Sequence, residues 1–428
     1  MRLLHVSDIH FTFPQCTGEM DADLVYRSHL IEHARQRSED IGDIDGVLFT
    51  GDIAFCGRKE EFDAAKIWLA KLCDAIGCDP SQVFVVPGNH DVDRRAYSTG
   101  VSVKNTADAI ARAESLVARE KLLQQILEDK VAGAFLLQPI DAYNEFAASY
   151  GCNITPKKPF WTQKLELAEG VCVELRGMTS TLLSGREVPE HRRDLHLGVF
   201  QAQLSPSRGT LHLAMAHHPI GWMSDAEEVR NRLEGEPALL LFGHEHKQGV
   251  NHNVGNALTV CAGAVNPDRR ELGWRPGYNL LEFEVIGQDV KARIHQFKWD
   301  YEPNGFNRKL GRDGEEYIDH TFIDVGECSV KSAPTLGSSR ETVDDAEAES
   351  EQKPVSWELV MTQLQAKQLI YKFWKLRRSR RKSVMVAMGL LEIDTPVVNE
   401  PDVYYNFIIT LANNDRLDEF ERAINAQN

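Results

Sequence analysis

Five short motifs carry side chains able to hold metal ions or move protons: Asp8-Ile9-His10, Gly51-Asp52, Gly88-Asn89-His90-Asp91, His217-His218-Pro219 and Gly243-His244-Glu245-His246. Taken alone each is weak, because a single histidine is ordinarily a packed or surface residue. Taken together they bring oxygen donors (Asp8, Asp52, Asn89) and imidazoles (His10, His217, His244, His246) into one ordered set. A mixed imidazole and carboxylate set suits Mn²⁺, Fe or Zn²⁺ better than Ca²⁺. Two such ions about 3.5–4 Å apart repel each other and need a bridging anion, and Asp52 is the best candidate for that bridge. Period-two spacing in a strand would put Asp8 and His10 on one side, and likewise His244 and His246, with Glu245 turned away. A water shared by two such ions is acidic enough to be a nucleophile near neutral pH.

The elements that must position these residues are legible around them. Apolar runs at Leu3–Val6, Val47–Thr50 and Val83–Val86 end just before Asp8, Asp52 and Asn89. Helical patterns fill the intervals, at Asp23 to Glu39 and at Glu60 to Ile76, where Phe62, Ala65, Leu69, Leu72 and Ile76 recur at helical spacing. This alternation predicts βαβ units around a buried sheet, and open α/β sheets bind ligands beyond the carboxyl ends of their strands. Further strands are expected at Val171 to Arg176, Leu211 to Ala216, Ala238 to Phe242, Leu258 to Ala262 and Tyr278 to Val285. Lys291 to Phe297 alternates as an edge or solvent-facing strand would.

The chain of 428 residues exceeds one ordinary core. Residues 1–325 read as one α/β domain, with a helical insertion at about 101–150 that serves as scaffold or lid. Residues 326–354, rich in Ser, Thr, Glu, Asp, Ala and Pro, read as a flexible linker. Residues 355–428 read as a small all-α domain, with Leu417, Phe420 and Ile424 on one helix face.

The net charge of −16 argues against broad nonspecific nucleic-acid binding. The eight cysteines (Cys16, Cys56, Cys73, Cys78, Cys152, Cys172, Cys261 and Cys328) form no CxxC pair and read as scattered thiols. The first motif begins almost at Met1, and no run of 18 apolar residues occurs, so a cytoplasmic location without a membrane span is expected.

The segments LLHVSDIHF, FTGDIA, FVVPGNHDVDR, MAHHPIGW and LFGHEHKQG resemble the calcineurin-like metallophosphoesterase superfamily over roughly residues 1–300, and most of all its bacterial cyclic-nucleotide phosphodiesterase branch. The resemblance implies a four-layer α/β/β/α sandwich and two divalent metal ions. It implies that Asp8, His10 and His246 bind one ion, that Asn89, His217 and His244 bind the other, and that Asp52 bridges. It further implies that His90 contacts the phosphate and protonates the leaving oxygen, and that Asp91 orients His90. His217 is assigned as the ligand by motif register, with His218 the alternative. Asn89, His90 and His217 would also meet the substrate. Arg58, Arg94, Arg95, Arg269 and Arg270 lie close enough to the motifs to contact phosphate oxygens or to be solvated surface residues. Trp222 could stack on a base or pack in the scaffold.

The C-terminal segments FWKLRRSRRKSVMVAMGLLE and DVYYNFIITLANNDRLDEFERAIN resemble effector-associated, death-domain-like adaptors of bacterial conflict systems. That resemblance implies a protein partner bound through residues 355–428. A helical cap or oligomerisation domain is the alternative, and a solvated helix face is the plain reading of the Arg377–Lys382 basic run. The expected function is a two-metal phosphodiesterase acting on nucleotides. A DNA or RNA nuclease effector of antiviral defence, and an adaptor with the enzyme as its output, are the other readings.

Overall fold

The computed structural model describes residues 1–186, 190–253, 255–266, 274–311, 314–326, 357–397 and 399–427. Nearly all of the expected linker, together with Cys328, Arg269 and Arg270, lies outside the described residues. The strands, in chain order, are β1 (Arg2–Val6), β2 (Gly46–Phe49), β3 (Val83–Val85), β4 (Phe160–Ala168), β5 (Val171–Met178), β6 (Thr210–Met215), β7 (Ala238–Phe242), β8 (Gly249–His252), β9 (Ala257–Cys261), β10 (Gly277–Ile286), β11 (Asp289–Tyr301), β12 (Asn304–Arg308) and β13 (Ile318–Phe322). They form two sheets. One runs β12-β11-β10-β1-β2-β3 with β13 also on β11, and the other runs β4-β5-β6-β7-β9-β8.

β1, β2 and β3 pair in parallel. Their near-continuous apolar runs are buried, as strands covered on both faces must be. A single hydrophobic core takes in both sheets, including Leu4, Phe49 and Val85 from the first and Leu213, Leu240 and Val260 from the second. Helices α1 (Leu24–Ile41) and α2 (Lys59–Ala75) add Leu30, Phe62 and Leu69 to it. The outcome for Lys291–Phe297 is mixed. Its alternation does mark one solvent-facing side, but β11 lies inside the sheet between β10 and the β12/β13 pair.

The insertion is helical, with α3 (Arg95–Thr99), α4 (Val101–Ala111), α5 (Leu116–Glu128), α6 (Lys130–Leu137) and α7 (Asp141–Ala147). It behaves as scaffold: Val103, Ile110, Leu123 and Tyr143 are buried in the main core. A short helix α8 (Ala226–Leu233) follows β6.

Helices α9 (Trp357–Lys375), α10 (Arg378–Ala387), α11 (Glu400–Asn413) and α12 (Leu417–Asn425) surround a second core of Phe373, Val384, Met385, Tyr404, Ile408, Phe420 and Ile424. α9 also docks on the first unit. Lys367 is buried with Nζ 3.3 Å from the Val83 carbonyl and 3.4 Å above the Phe84 ring. Beside it Gln368 Nε2 donates to Asp79 Oδ2 at 2.9 Å, and Lys158 meets the Tyr405 hydroxyl. Two residues further along β3, Tyr143 OH and Trp161 Nε1 each donate to Val85 O at 3.0 Å.

Burial lowers the Lys367 ammonium from its ordinary 10.5 to about 8. Between those values the unfolded chain holds a proton that the folded chain has released, so the contribution of this group to stability rises with pH over that window and is flat below it. Chemical unfolding from pH 7 to 10.5 should show wild type gaining about 1–3 kcal/mol relative to Lys367→Met. Parallel curves would show that the ammonium is not desolvated.

Candidate metal centre

The expected site residues sit just past five strand ends. β1 delivers Asp8 and His10, β2 delivers Asp52, β3 delivers Asn89 and His90, β6 delivers His217, and β7 delivers His244 and His246. The structure corrects how they reach one place. Asp8, His10, Asp52, His244 and His246 all have left-handed backbone, with φ between 47° and 66°. The strands have ended, so pleat alternation does not align Asp8 with His10 or His244 with His246; consecutive left-handed kinks do. Few non-glycine residues take this conformation, and five of them at one locus is a mark of imposed geometry.

Two glycines permit the approach. A Cβ on Gly88 would lie 2.2 Å from Asp52 Oδ1 and 2.3 Å from Asp52 N. A Cβ on Gly51, whose φ is 90°, would lie 2.7 Å from His217 Nδ1.

Backbone acceptors set the imidazole tautomers. His217 Nδ1 lies 2.8 Å from Thr50 O and His10 Nδ1 lies 2.9 Å from Asn266 O. Each Nδ1–H therefore donates to a carbonyl, and each Nε2 turns its lone pair inward. His10 Nε2 meets Asp52 Oδ2 at 3.1 Å, and His217 Nε2 meets the same oxygen at 3.3 Å. Asn89 Oδ1 lies 3.0 Å from His217 Nε2 and 3.1 Å from His244 Nδ1. His246 Nε2 lies 3.2 Å from Asp8 Oδ1. At His10 and His217 the inward nitrogen is an acceptor that faces acceptor oxygens in a buried place. A proton relieves one such pair, whereas divalent cations relieve all of them at once. The donor set therefore fits two metal ions, with Asp52 Oδ2 common to both halves.

The titration pattern carries the same message. Burial opposes charging His217, yet Asp52 and Asp8 lift it to about 10. Burial likewise opposes ionising Asp52, yet His217, His90 and His10 hold its carboxyl well below the usual range.

The two members of the HHP motif part company. His217 faces Asp52 and Asn89. His218 is turned to Ser180 Oγ at 2.9 Å and Glu190 Oε2 at 3.3 Å. Glu245 points away from the centre, as expected, and holds Arg192 at 2.5 Å and the Trp222 indole N–H at 3.2 Å.

One expectation fails in detail. Asp91 does not orient His90. Its Oδ1 accepts from Ala54 N at 2.7 Å and its Oδ2 from Gly88 N at 2.8 Å, so it staples the loops that carry Asp52 and Asn89. Burial and the Asp52 charge push Asp91 up to about 8. His90 is instead held by Phe55, through Nδ1 to the carbonyl at 2.9 Å and through ring stacking at 5.1 Å. Sequence reasoning passed over Phe55, and the signal for it was its place three residues beyond Asp52 in the same loop.

The remaining candidates scatter. Arg94 is exposed close to His90. Arg95 is spent on Asp93 at 2.8 Å, and the Arg58 N–H starts α2 by donating to Glu61 Oε2 at 3.1 Å. Trp222 packs edge-on to His244 at 4.2 Å. Among the described cysteines there is no disulfide.

The calcineurin-like phosphoesterase family model matches residues 1–248, and the GTPase-associated adaptor domain model matches residues 365–426. An uncharacterized metallophosphoesterase-like protein of Bacillus subtilis is 24% identical over 327 residues, covering 74% of this chain, and the chain spans 63% of the length of that relative. Among solved structures, a dimetal phosphatase from Danio rerio is 13% identical with a TM-score of 0.38, over 76% of this chain and 99% of that one. A purple acid phosphatase from yellow lupin is 13% identical with a TM-score of 0.35, over 79% and 57%. With two sheets whose strand ends converge on a metal-fitting donor set, and a family model matched over more than half its length, the chain belongs to the calcineurin-like phosphoesterases, which are metal-dependent enzymes, and carries a C-terminal adaptor domain.

Proposed function

We propose that this chain is a two-metal phosphodiesterase acting on nucleotides, with its C-terminal module recruiting a protein partner. One observation carries the catalytic part: a single buried oxygen, Asp52 Oδ2, lies 3.1 Å from His10 Nε2 and 3.3 Å from His217 Nε2. Asp8, His10 and His246 would hold one ion and Asn89, His217 and His244 the other, with Asp52 available to both. When bound, the two ions, Mn²⁺, Fe or Zn²⁺, supply Lewis acidity and an activated water.

The chain's own residues do the rest. Thr50 O and Asn266 O fix the tautomers of His217 and His10. Asp91 holds the Asp52 and Asn89 loops in register through Ala54 N and Gly88 N. His90 is anchored through Nδ1–H to Phe55 O, so in its imidazolium form the Nε2–H is the group that contacts the phosphate and passes its proton to the departing oxygen, leaving the neutral ring. Asn89, His217 and Arg94 complete the contacts to the phosphate. The nucleotide reading is supported by motif resemblance and by two rings that flank the histidines. Phe55, 37% exposed, stacks on His90, and the half-buried Trp222 abuts His244. The adaptor domain matched at residues 365–426 supports the protein partner.

The test is a panel assayed with Mn²⁺: bis-p-nitrophenyl phosphate, p-nitrophenyl phosphate, cyclic nucleotides, single- and double-stranded DNA, and RNA. Cyclic or linear nucleotide hydrolysis is expected, whereas cleavage of polymer alone would make the enzyme a nuclease.

Variants separate the roles. His90→Ala should keep both metals and lose about 10²–10⁴-fold in kcat. Asp52→Asn should lose metal and activity together, and near-normal hydrolysis by it would refute the ligand assignment. Gly88→Ala, whose Cβ would collide with Asp52 at 2.2 Å, should lower metal occupancy measured by inductively coupled plasma spectrometry, together with the midpoint of thermal unfolding.

A further inference from the structure

The anchor of His90 continues beyond Phe55. Phe55 O, which accepts from His90 Nδ1–H at 2.9 Å, belongs to the same peptide group as Cys56 N, and Cys56 N donates to Glu61 Oε2 at 2.9 Å. A peptide group is planar and turns as one body. Tilting this one would break both hydrogen bonds together, so the carboxylate that holds its N–H also fixes where its carbonyl points. On the near side the same residue is pinned by Phe55 N donating to Phe11 O at 3.1 Å.

Glu61 also has a plain structural task. It stands in the first turn of α2, and its Oε2 accepts from the N-cap Arg58 N at 3.1 Å, as a glutamate at that position of a helix commonly does. Capping needs only that contact. The side chain is fully buried and makes two more outside the helix, from Cys56 N to Oε2 and from Phe13 N to Oε1 at 3.1 Å. Phe13 follows His10 in the loop after β1, and Cys56 follows Asp52 in the loop after β2. Glu61 therefore ties those two loops, as Asp91 ties the loops after β2 and β3. A buried carboxylate is costly unless it is hydrogen-bonded, and three backbone N–H groups meet that need. Such charge-assisted bonds are stronger than neutral ones, and a peptide that donates to a carboxylate becomes a better acceptor at its carbonyl end.

We propose that Glu61 is a positioning residue for the phosphoester hydrolysis. Acting through the Phe55–Cys56 peptide, it keeps His90 Nδ1–H on the carbonyl and so reserves Nε2–H for the departing oxygen. A carboxylate thus does orient His90, through a peptide group rather than by direct contact, and from α2 rather than from the loop of His90 itself. The inference rests on the proposed role of His90 as proton donor.

Two diesters test it in the Mn²⁺-loaded full chain. The leaving group of bis-p-nitrophenyl phosphate departs readily as an anion, whereas that of diphenyl phosphate gains from a proton. In Glu61→Gln with metal content matched to wild type, the ratio of kcat for diphenyl phosphate to kcat for bis-p-nitrophenyl phosphate should fall on the order of tenfold, part of the about 10²–10⁴-fold that proton transfer supplies. His90→Ala should lower the ratio at least as far, and adding Glu61→Gln to it should lower the ratio no further, because the two residues act in one chain of contacts. Glu61→Asp keeps the charge on a shorter arm. It should show the same selective loss, and it carries the test if the glutamine variant does not fold. A glutamate that serves only as a helix cap would slow both diesters alike. An unchanged ratio in the Glu61 variants while His90→Ala lowers it, or a further fall in the double variant, overturns the proposal. An unchanged ratio in His90→Ala overturns the role given to His90, and the proposal with it.

Discussion

Everything at the centre of this molecule follows from crowding lone pairs around one carboxylate oxygen. Asp52 Oδ2 is buried within hydrogen-bonding range of two imidazole nitrogens whose protons have been drawn to the opposite side of each ring by Thr50 and Asn266. Such an arrangement is repulsive until positive charge enters it. The protein has therefore folded most of a binding site whose final component is cationic, and the metals contribute to cohesion as well as to chemistry.

Maintaining that crowding demands a rigid frame. The frame consists of the carboxyl ends of β1, β2, β3, β6 and β7, drawn from both sheets, so that neither sheet alone contains a site. Asp91 works inside this frame as a brace. By accepting from Ala54 N and Gly88 N it ties the loop after β2 to the loop after β3, at the point where Gly88 lets them touch. A carboxylate buried beside Asp52 is electrostatically unwelcome, and the two backbone hydrogen bonds explain why it is there.

Much of this was readable in the sequence. The apolar runs ending at Asp8, Asp52, Asn89, His217 and His244 gave strand, loop and ligand together, because parallel strands buried on both faces carry a strong hydrophobic signal. β4, β8, β12 and β13 were not foreseen. β4 is half-exposed along most of its length and β8 is largely open to solvent, so pairing with neighbours rather than local pattern makes them strands. The left-handed turns at Asp8, His10 and His244 were invisible for a different reason. A tripeptide such as Asp-Ile-His states which atoms are available but not the φ angles, and assuming a pleat gave the right neighbours by the wrong geometry. The partner of His90 was missed because it is a backbone carbonyl, which every residue possesses and no sequence pattern advertises.

The treatment of β3 has a consequence for how the chain avoids its own kind. β3 ends its sheet, so its outward carbonyls would ordinarily invite a strand from another molecule. Here Val83 O is taken by the Lys367 ammonium, and Val85 O by the Tyr143 hydroxyl and the Trp161 indole. Three side chains from three distant segments, one of them the adaptor helix α9, thus close the border of the sheet without adding a strand to it. The first unit closes Val85 O by itself, and only Val83 O waits for α9, so the docked helix completes a closure that the first unit has already begun.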